Sequence, residues 1–348
     1  MKDSIGVIDL FCGIGGLTHG FVKEGFDVLA GFDIDETCKF AYETNNNAKF
    51  IKKDVSALSK EELEEYYINK DIKILVGCAP CQPFSKYSHT RKSEDDKWKL
   101  LYKFADVIEK VGPDIVSMEN VPQLIQSKKH KHVYESFEKR LKDLGYNIWS
   151  GIVNCPEYGI PQNRKRLVLL ASKKGEIKLI EPTHTKDNFV TVKDVIGDLS
   201  PLASGEQDPK DPIHKSSQVS ELNMRRIRST PPGGGWKDWD EELRCECHKK
   251  PGGATYSSVY GRMLWNEPSP TMTTQCTGIG NGRFGHPEQD RAISLREAAI
   301  LQTFPRNYKF VPKNEKVITK ILARQIGNAV PVDLGKVIAK SIKNHLNI

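Results

Sequence analysis

From residue 5 to about residue 172 the chain alternates short, β-branched apolar runs with stretches whose apolar side chains recur at helical spacing. The runs at 5–11, 27–32, 49–51, 72–78, 114–119, 147–154 and 167–171 are expected to be strands. The stretches at 17–23, 36–43, 60–67, 97–110 and 133–144 are expected to be helices, the first and last stopped by Gly25 and Gly145. Strands that are apolar nearly throughout have no face to show to water, so the pattern predicts an α/β fold whose parallel sheet is covered on both sides by helices. After Ser172 the texture changes. Pro182, Pro201, Pro209, Pro212, Pro231, Pro232, the glycines at 233–235 and Gly252-Gly253 break every periodicity, and a smaller, loop-rich domain is expected. Helical spacing returns at 294–301 and from about 316 to the C-terminus, interrupted at 327–331. That amphipathic ending needs a surface to bury against, and the expected division is 1–172, 173–315 and 316–348, the last segment returning to the first.

Composition narrows the picture only modestly. A chain of 348 residues exceeds one ordinary core, in keeping with a large and a small domain. Its 52 Lys and Arg against 45 Asp and Glu leave +7, an excess that permits nucleic-acid binding without requiring it. Cysteines at 12, 38, 78, 81, 155, 245, 247 and 276 are scattered in a way that suits reduced thiols more than a disulfide framework. No charged-then-apolar leader opens the sequence and no apolar run reaches membrane-spanning length, so a soluble, cytoplasmic protein is expected.

Candidate chemistry gathers where the strands end. The first runs into Asp9-Leu10-Phe11-Cys12-Gly13-Ile14-Gly15-Gly16, and Asp33 closes the second. Glycines let a ligand approach the backbone, and a carboxylate about twenty residues later accepts hydrogen bonds from ribose hydroxyls, which points to a nucleotide cofactor. Thr18 stands where a dinucleotide turn has its third glycine, and Asp9 and Phe11 suit a cationic ligand better than a pyrophosphate. Asp54 either caps an adenine amino group or serves as N-cap of the stretch beginning at Ser56, with equal weight.

The fourth strand delivers Pro80-Cys81-Gln82-Pro83-Phe84-Ser85. A thiol held between prolines at a strand's carboxyl end reaches a substrate, so Cys81 is a candidate nucleophile. Cys78, still within the strand, is expected to fill core. A Cys78/Cys81 redox or zinc pair ranks lower, since no second C-x-x-C completes four ligands. Glu119 ends the fifth strand in the same crevice, where burial favours holding a proton. In Gln162-Asn163-Arg164-Lys165-Arg166, the two arginines share one face of an extended chain and can aim donors at a phosphate or a base carbonyl, unless this is only a solvated basic turn.

In order along the chain, these segments, with Arg262…Pro268-Ser-Pro-Thr-Met-Thr273 and Arg324-Gln-Ile-Gly-Asn328-Ala-Val-Pro331, resemble the conserved blocks of the DNA (cytosine-5)-methyltransferases, and in particular the compact type of prokaryotic restriction-modification systems. The resemblance leaves mainly 173–258 unmatched. It implies a Rossmann-like, S-adenosylmethionine-dependent methyltransferase sheet with a smaller target-recognition domain, and methyl transfer to C5 of a flipped-out cytosine in a specific duplex sequence. It implies that Phe11, Gly13, Gly15 and Gly16 form the cofactor turn, that Asp33 takes the ribose, that Ile34 and Val55 pack on the adenine, that Asp54 meets its amino group, and that Pro80, Leu100 and Asn328 complete the site. Family members often carry Glu and a bulky aromatic where this chain has Asp33 and Ile34. Cys81 is implied as the nucleophile that adds to C6, Glu119 as the contact to N3 and N4, and Arg164 and Arg166 as positioners of the nucleophile loop and the base. Segment 86–97 resembles the loop that closes over that base, and Ser85, Gln162 and Arg262 are implied DNA contacts.

The unmatched stretch occupies the place of the family's recognition region. There Arg225, Arg226 and Arg228, with Trp236 and Trp239, offer cations and aromatic surface to phosphates and bases, or else form a plain basic helix and turn. Cys245, Cys247 and His248 lack a clear fourth ligand and a common spacing, so no metal is expected. The expected partners of a monomeric enzyme are double-stranded DNA and a cognate restriction endonuclease. Three rivals stand beside this reading: the branch of the family that methylates tRNA, which tends to carry Thr where this chain has Ser85, a catalytically inactive DNA-binding member, and a dinucleotide-dependent dehydrogenase.

Overall fold

The computed structural model describes residues 4–80, 99–250 and 252–348. Strands β1 (Ile5–Leu10), β2 (Val28–Asp33), β3 (Lys49–Lys52), β4 (Ile72–Gly77), β5 (Ile115–Asn120), β6 (Asn147–Asn154), β7 (Gln162–Asn163), β8 (Lys165–Ser172) and β9 (Ser269–Pro270) form a seven-stranded sheet in the order β3-β2-β1-β4-β5-β8-β6 and a two-stranded β7-β9 pair. Each expected strand is present, its ends shifted by no more than a residue or two. The expectation of an all-parallel sheet is corrected at one place. β8 runs antiparallel to both β5 and β6, while β1 to β4 pair in parallel with their neighbours. Only residues 155–164 join β6 to β8, too few for the crossover helix that a parallel return needs, so the chain turns straight back.

β1 lies between β2 and β4, so the strand order reverses there. In open α/β sheets the loops leaving the carboxyl ends at such a point border the ligand crevice. The segments after β1, β4 and β5 are therefore the ones that carry chemistry. Beneath them, Ile8, Leu10, Leu75, Val116, Met118, Leu167 and Leu169 pack in one buried cluster with Phe104 and Ile108 of helix Lys99–Val111 and Phe137 and Leu141 of helix Lys131–Asp143. Helix Val332–His345 lies against helix Gly16–Lys23 at backbone contact. A Cβ at Gly20 would sit 2.5 Å from the Gly335 carbonyl carbon, which only glycine avoids.

The chain forms two compact units, 1–158 with 165–182 and 330–348, and 159–164 with 183–329. The expected boundaries at 172 and 315 shift accordingly. Residues up to 182 stay with the sheet, where the Ile180 N–H donates to Ser341 Oγ at 3.0 Å. Helix Thr319–Asn328, expected to return to the first domain, belongs to the second unit. Gln302 Nε2 donates to the carbonyls of Ile326 and Ala329 at 2.7 and 3.0 Å, and Gly327 presses on the Thr273 backbone. The second unit is loop-rich, as its prolines and glycines predict. It is organised by a Trp236, Trp239 and Leu243 cluster and by a fully buried pair in which Arg291 donates to both Glu297 oxygens at 2.7 Å. Among the described residues, no helix is long and apolar enough to cross a membrane.

Candidate active site

The turn after β1 is built for a ligand. Phe11, Gly13 and Gly15 have φ of 61°, 50° and 84°, a left-handed conformation that the two glycines adopt without strain and Phe11 does not. Among the described residues, nothing lies within 4 Å of where a Gly13 side chain would stand, so that the backbone there is open to a ligand. Asp33 Oδ2 accepts the Gly13 N–H and Oδ1 accepts the Asp35 N–H, both at 2.9 Å, which ties the carboxylate at the end of β2 to the turn after β1. Ile34 beside it is 69% exposed, an apolar side chain held out in water at the rim. Phe11 meets Phe104 edge-on at 6.4 Å.

Asp9, Val55 and Asp54 occupy three different settings. Asp9, offered as a carboxylate for a cationic ligand, is buried beneath the turn and accepts the Thr18 hydroxyl at 2.6 Å. Burial pushes its carboxyl up to about 7, against that hydrogen bond and with the Asp33 charge adding to the rise. Val55, expected against an adenine, fills the sheet's core. Asp54 is the exposed N-cap of Val55–Ala57, accepting the Ser56 N–H at 2.8 Å, and its hydrogen bonds with Ser56 hold its pKa below the ordinary value. Leu100 is half-buried in helix Lys99–Val111, and Asn328 is exposed at the end of helix Thr319–Asn328, in the second unit.

Pro80 is exposed, and the call on Cys81 with those on Ser85 and 86–97 lies outside the described residues. Parallel pairing of Gly77 with Met118 carries Cys78 alongside Glu119, and antiparallel pairing of Asn120 with Leu167 brings the start of β8 to the same end of β5. Glu119, 2% exposed, forms an ion pair with Arg166, whose Nε lies 2.8 Å from Oε1 without hydrogen-bond geometry, and its Oε2 accepts from Cys78 Sγ at 2.7 Å. Asn120 Nδ2 donates to the Ala79 carbonyl at 3.2 Å and so fixes the backbone just before Pro80. Cys78 thus corrects the expectation that it fills core. Its thiol, half-buried, belongs to the carboxylate.

The two arginines expected to act together are separated. β8 begins at Lys165, while 159–164 belong to the second unit through the β7-β9 pairing. Arg164 is buried there and donates to the carbonyls of Met272 and Ala329 at 3.2 and 3.3 Å. Gln162 and Arg262, expected as DNA contacts, are also interior. Gln162 donates to Leu301 O and Gln302 Oε1 and accepts the Met272 N–H, with no exposed surface. Arg262 is 4% exposed and spends its five N–H donors on the carbonyls of Thr230, His286, Gln289 and Ile227 and on Asp290.

Helix Glu221–Arg228 gives its three arginines different fates. Arg226 donates to Leu243 O at 2.9 Å and lies 5.5 Å over the rings of Trp239 and Tyr260, a packing role. Arg225 and Arg228 stay on the surface, paired with Glu242 and Asp290 in exposed ion pairs that bind weakly and exchange easily. Nearby, ligand atoms of Cys245, Cys247 and His248 lie within 4.8 Å of one another. Motif reasoning passed over Asn120, and it gave Cys78, Asp9 and Thr18 roles other than the hydrogen bonds they make. Strand register brings each to its place, and register leaves no mark in the spacing.

The model of the family described as C-5 cytosine-specific DNA methylase matches residues 5–344. The type II methylase M.HgiDII of Herpetosiphon aurantiacus is 57% identical over 341 residues, 98% of this chain and 95% of that one. The type II methyltransferase M1.HphI of Haemophilus parahaemolyticus is 30% identical over 97% of this chain and 87% of its own. A solved protein encoded within a prophage of E. coli has the same fold, with a TM-score of 0.75 at 24% identity over 99% of this chain and 100% of that one.

Proposed function

Because the chain belongs to the C-5 cytosine-specific DNA methylase family, we propose that Cys81, Glu119 and Arg166 perform its methyl transfer to cytosine C5 in DNA. The observation that carries this reading is the buried Glu119 carboxylate, held by Arg166 and Cys78 where β4 delivers its chain toward Cys81. C5 is a poor nucleophile within an aromatic ring. Addition of the Cys81 thiolate to C6 forms a C–S bond and moves an electron pair toward N3, which takes up a proton and leaves C5 the nucleophilic carbon of an enamine. Glu119 hydrogen-bonds the protonated N3 and the N4 amino group, and Arg166 holds that carboxylate in place. After C5 has gained its methyl, the electrons of the C5–H bond form the C5–C6 double bond and expel the thiolate, and N3 gives its proton back, which restores the aromatic ring. Neither carbon is reachable inside a duplex, so the target base is flipped out.

S-adenosylmethionine, which this family generally uses, supplies the methyl group from a sulfonium. The turn fits it. Gly13 leaves open space, Asp33 stands at the end of β2 with its carboxylate oriented by two N–H donors, and Ile34 presents exposed apolar surface for an adenine. Phe11, Gly15 and Gly16 shape the turn, and Pro80 and Leu100 are its candidate neighbours across the crevice. Asp33→Ala removes charge-assisted bonds worth about 1.5–3 kcal/mol, so affinity for S-adenosylhomocysteine is expected to fall about 10- to 100-fold in calorimetry. Equal affinity would take Asp33 out of the site, and tight NADH binding would favour a dehydrogenase.

The second unit chooses the DNA sequence. Arg225 and Arg228 are its surface cations for phosphates or base edges, since Arg226 and Arg262 are committed to packing. A cognate endonuclease of the same specificity accompanies the enzyme. Grafting 183–258 from a relative of different specificity is expected to move the methylated site, read by sequencing methylated DNA from expressing cells. An active graft that still methylates the original site would place recognition elsewhere.

A further inference from the structure

We infer that Cys245, Cys247 and His248 form a zinc site that fixes the interior of the second unit. Both sulfurs and an imidazole nitrogen lie within 4.8 Å of one another. Tetrahedral zinc, with Zn–S of about 2.3 Å and Zn–N of about 2.0 Å, spaces its ligands about 3.5 Å apart. A small inward movement of these ligand atoms closes the triangle. Cys245 and His248 are already bound to one turn, the His248 N–H donating to the carbonyl of Cys245, the N-cap of helix Glu246–Lys249, at 2.9 Å.

The imidazole is the second observation. His248 is 9% exposed, stacked on Trp236 at 4.2 Å and edge-on to Tyr260 at 6.0 Å, so its orientation is set before any ion arrives. Its neighbours are satisfied, Trp236 Nε1 donating to Tyr256 O at 2.9 Å and Trp239 Nε1 to Thr230 Oγ1 at 2.7 Å. His248 Nδ1, by contrast, is buried and has no hydrogen-bond partner among the described residues. A buried polar atom without a partner is costly, and a ring so placed beside two thiols is explained by a metal. The charges also suit it. Two thiolates neutralise Zn²⁺, their protons leaving to solvent, so the complex carries no net charge into a cluster that already holds Arg226 over its aromatic rings. The fourth position goes to water, with the Tyr260 hydroxyl beside it, 3.9 Å from Cys245 Sγ. Zinc there joins helix Glu246–Lys249 to the rings on which helix Glu221–Arg228 rests. Its role is structural.

Untagged protein purified without chelator is expected to contain one zinc per chain by elemental mass spectrometry, and Cys245→Ala to contain none. Should that variant fail to fold, the wild-type protein decides. Stripped of metal, it should take up one Co²⁺ with intense thiolate-to-cobalt absorption and a tetrahedral visible spectrum, both abolished by one equivalent of Zn²⁺. Zinc-free wild-type protein whose Co²⁺ spectrum is that of the free aquo ion overturns the inference, as does full zinc content in a folded Cys245→Ala protein.

Discussion

Glu119→Gln is expected to lower kcat for methyl transfer by about 10²- to 10⁴-fold, the range for loss of a positioned acid-base group, with affinity for S-adenosylhomocysteine unchanged. Glutamine keeps the size and one acceptor, so Arg166 retains a partner and the 2%-exposed site stays filled. What is lost is the charge that stabilises protonated N3 as Cys81 adds to C6. Cys78→Ala removes only a neutral donor to the other oxygen and is expected to cost about tenfold or less, in line with about 1 kcal/mol for an ordinary hydrogen bond. Single-turnover transfer of a labelled methyl group to duplex DNA separates the two. A Glu119→Gln rate within about threefold of wild type would remove Glu119 from the chemistry.

In the second unit, Glu297→Gln is expected to destabilise the fold by about 3–5 kcal/mol, because it leaves Arg291, with no exposed surface, as an uncompensated charge. The same group makes the unit sensitive to acid. Burial opposes ionisation of Glu297, but the Arg291 hydrogen bonds and charge prevail and hold its pKa below the ordinary value. Its contribution is therefore complete above about pH 4.3 and is lost as pH falls through the folded value. His286 acts at higher pH. Burial, opposed by the Glu297 charge and reinforced by Arg291 and Arg262, pushes its pKa down to about 4. Its Nδ1 accepts the N–H groups of Glu288 and Gln289, at 3.2 and 2.9 Å, which requires the neutral ring. An unfolded histidine takes its proton near pH 6.5, so between about 6.5 and 4 the unfolded chain binds a proton that the folded chain refuses. Stability is expected to fall steadily across that window. Thermal denaturation at a series of pH values measures it, and a melting temperature unchanged from pH 7 to pH 5 would contradict the assignment.

Strand positions were legible because buried strands are written as apolar runs, and Asp33 and Glu119 stand where those runs end. The direction of β8 was not, since it follows from the shortness of the link at 155–164. Arginines were the least legible residues. Arg228 and Arg262 have the same side chain, yet five acceptors converge on Arg262 while Arg228 stays on the surface in one exposed ion pair. Acceptor convergence is a property of the folded chain. The same holds for Cys78, which the strand register sets beside Glu119, and for the chain's passage between units at 164 and 165, which gives Arg164 and Arg166 different tasks.

Covalent addition of Cys81 to cytosine C6 is tested most directly by duplex DNA carrying 5-fluorocytosine at the methylated position, incubated with enzyme and S-adenosylmethionine. Fluorine cannot leave C5 as a proton does, so a protein–DNA complex is expected to accumulate, survive a denaturing gel and be absent with Cys81→Ala. A complex that forms with Cys81→Ala, or none with wild-type enzyme that methylates the unmodified duplex, would contradict the mechanism.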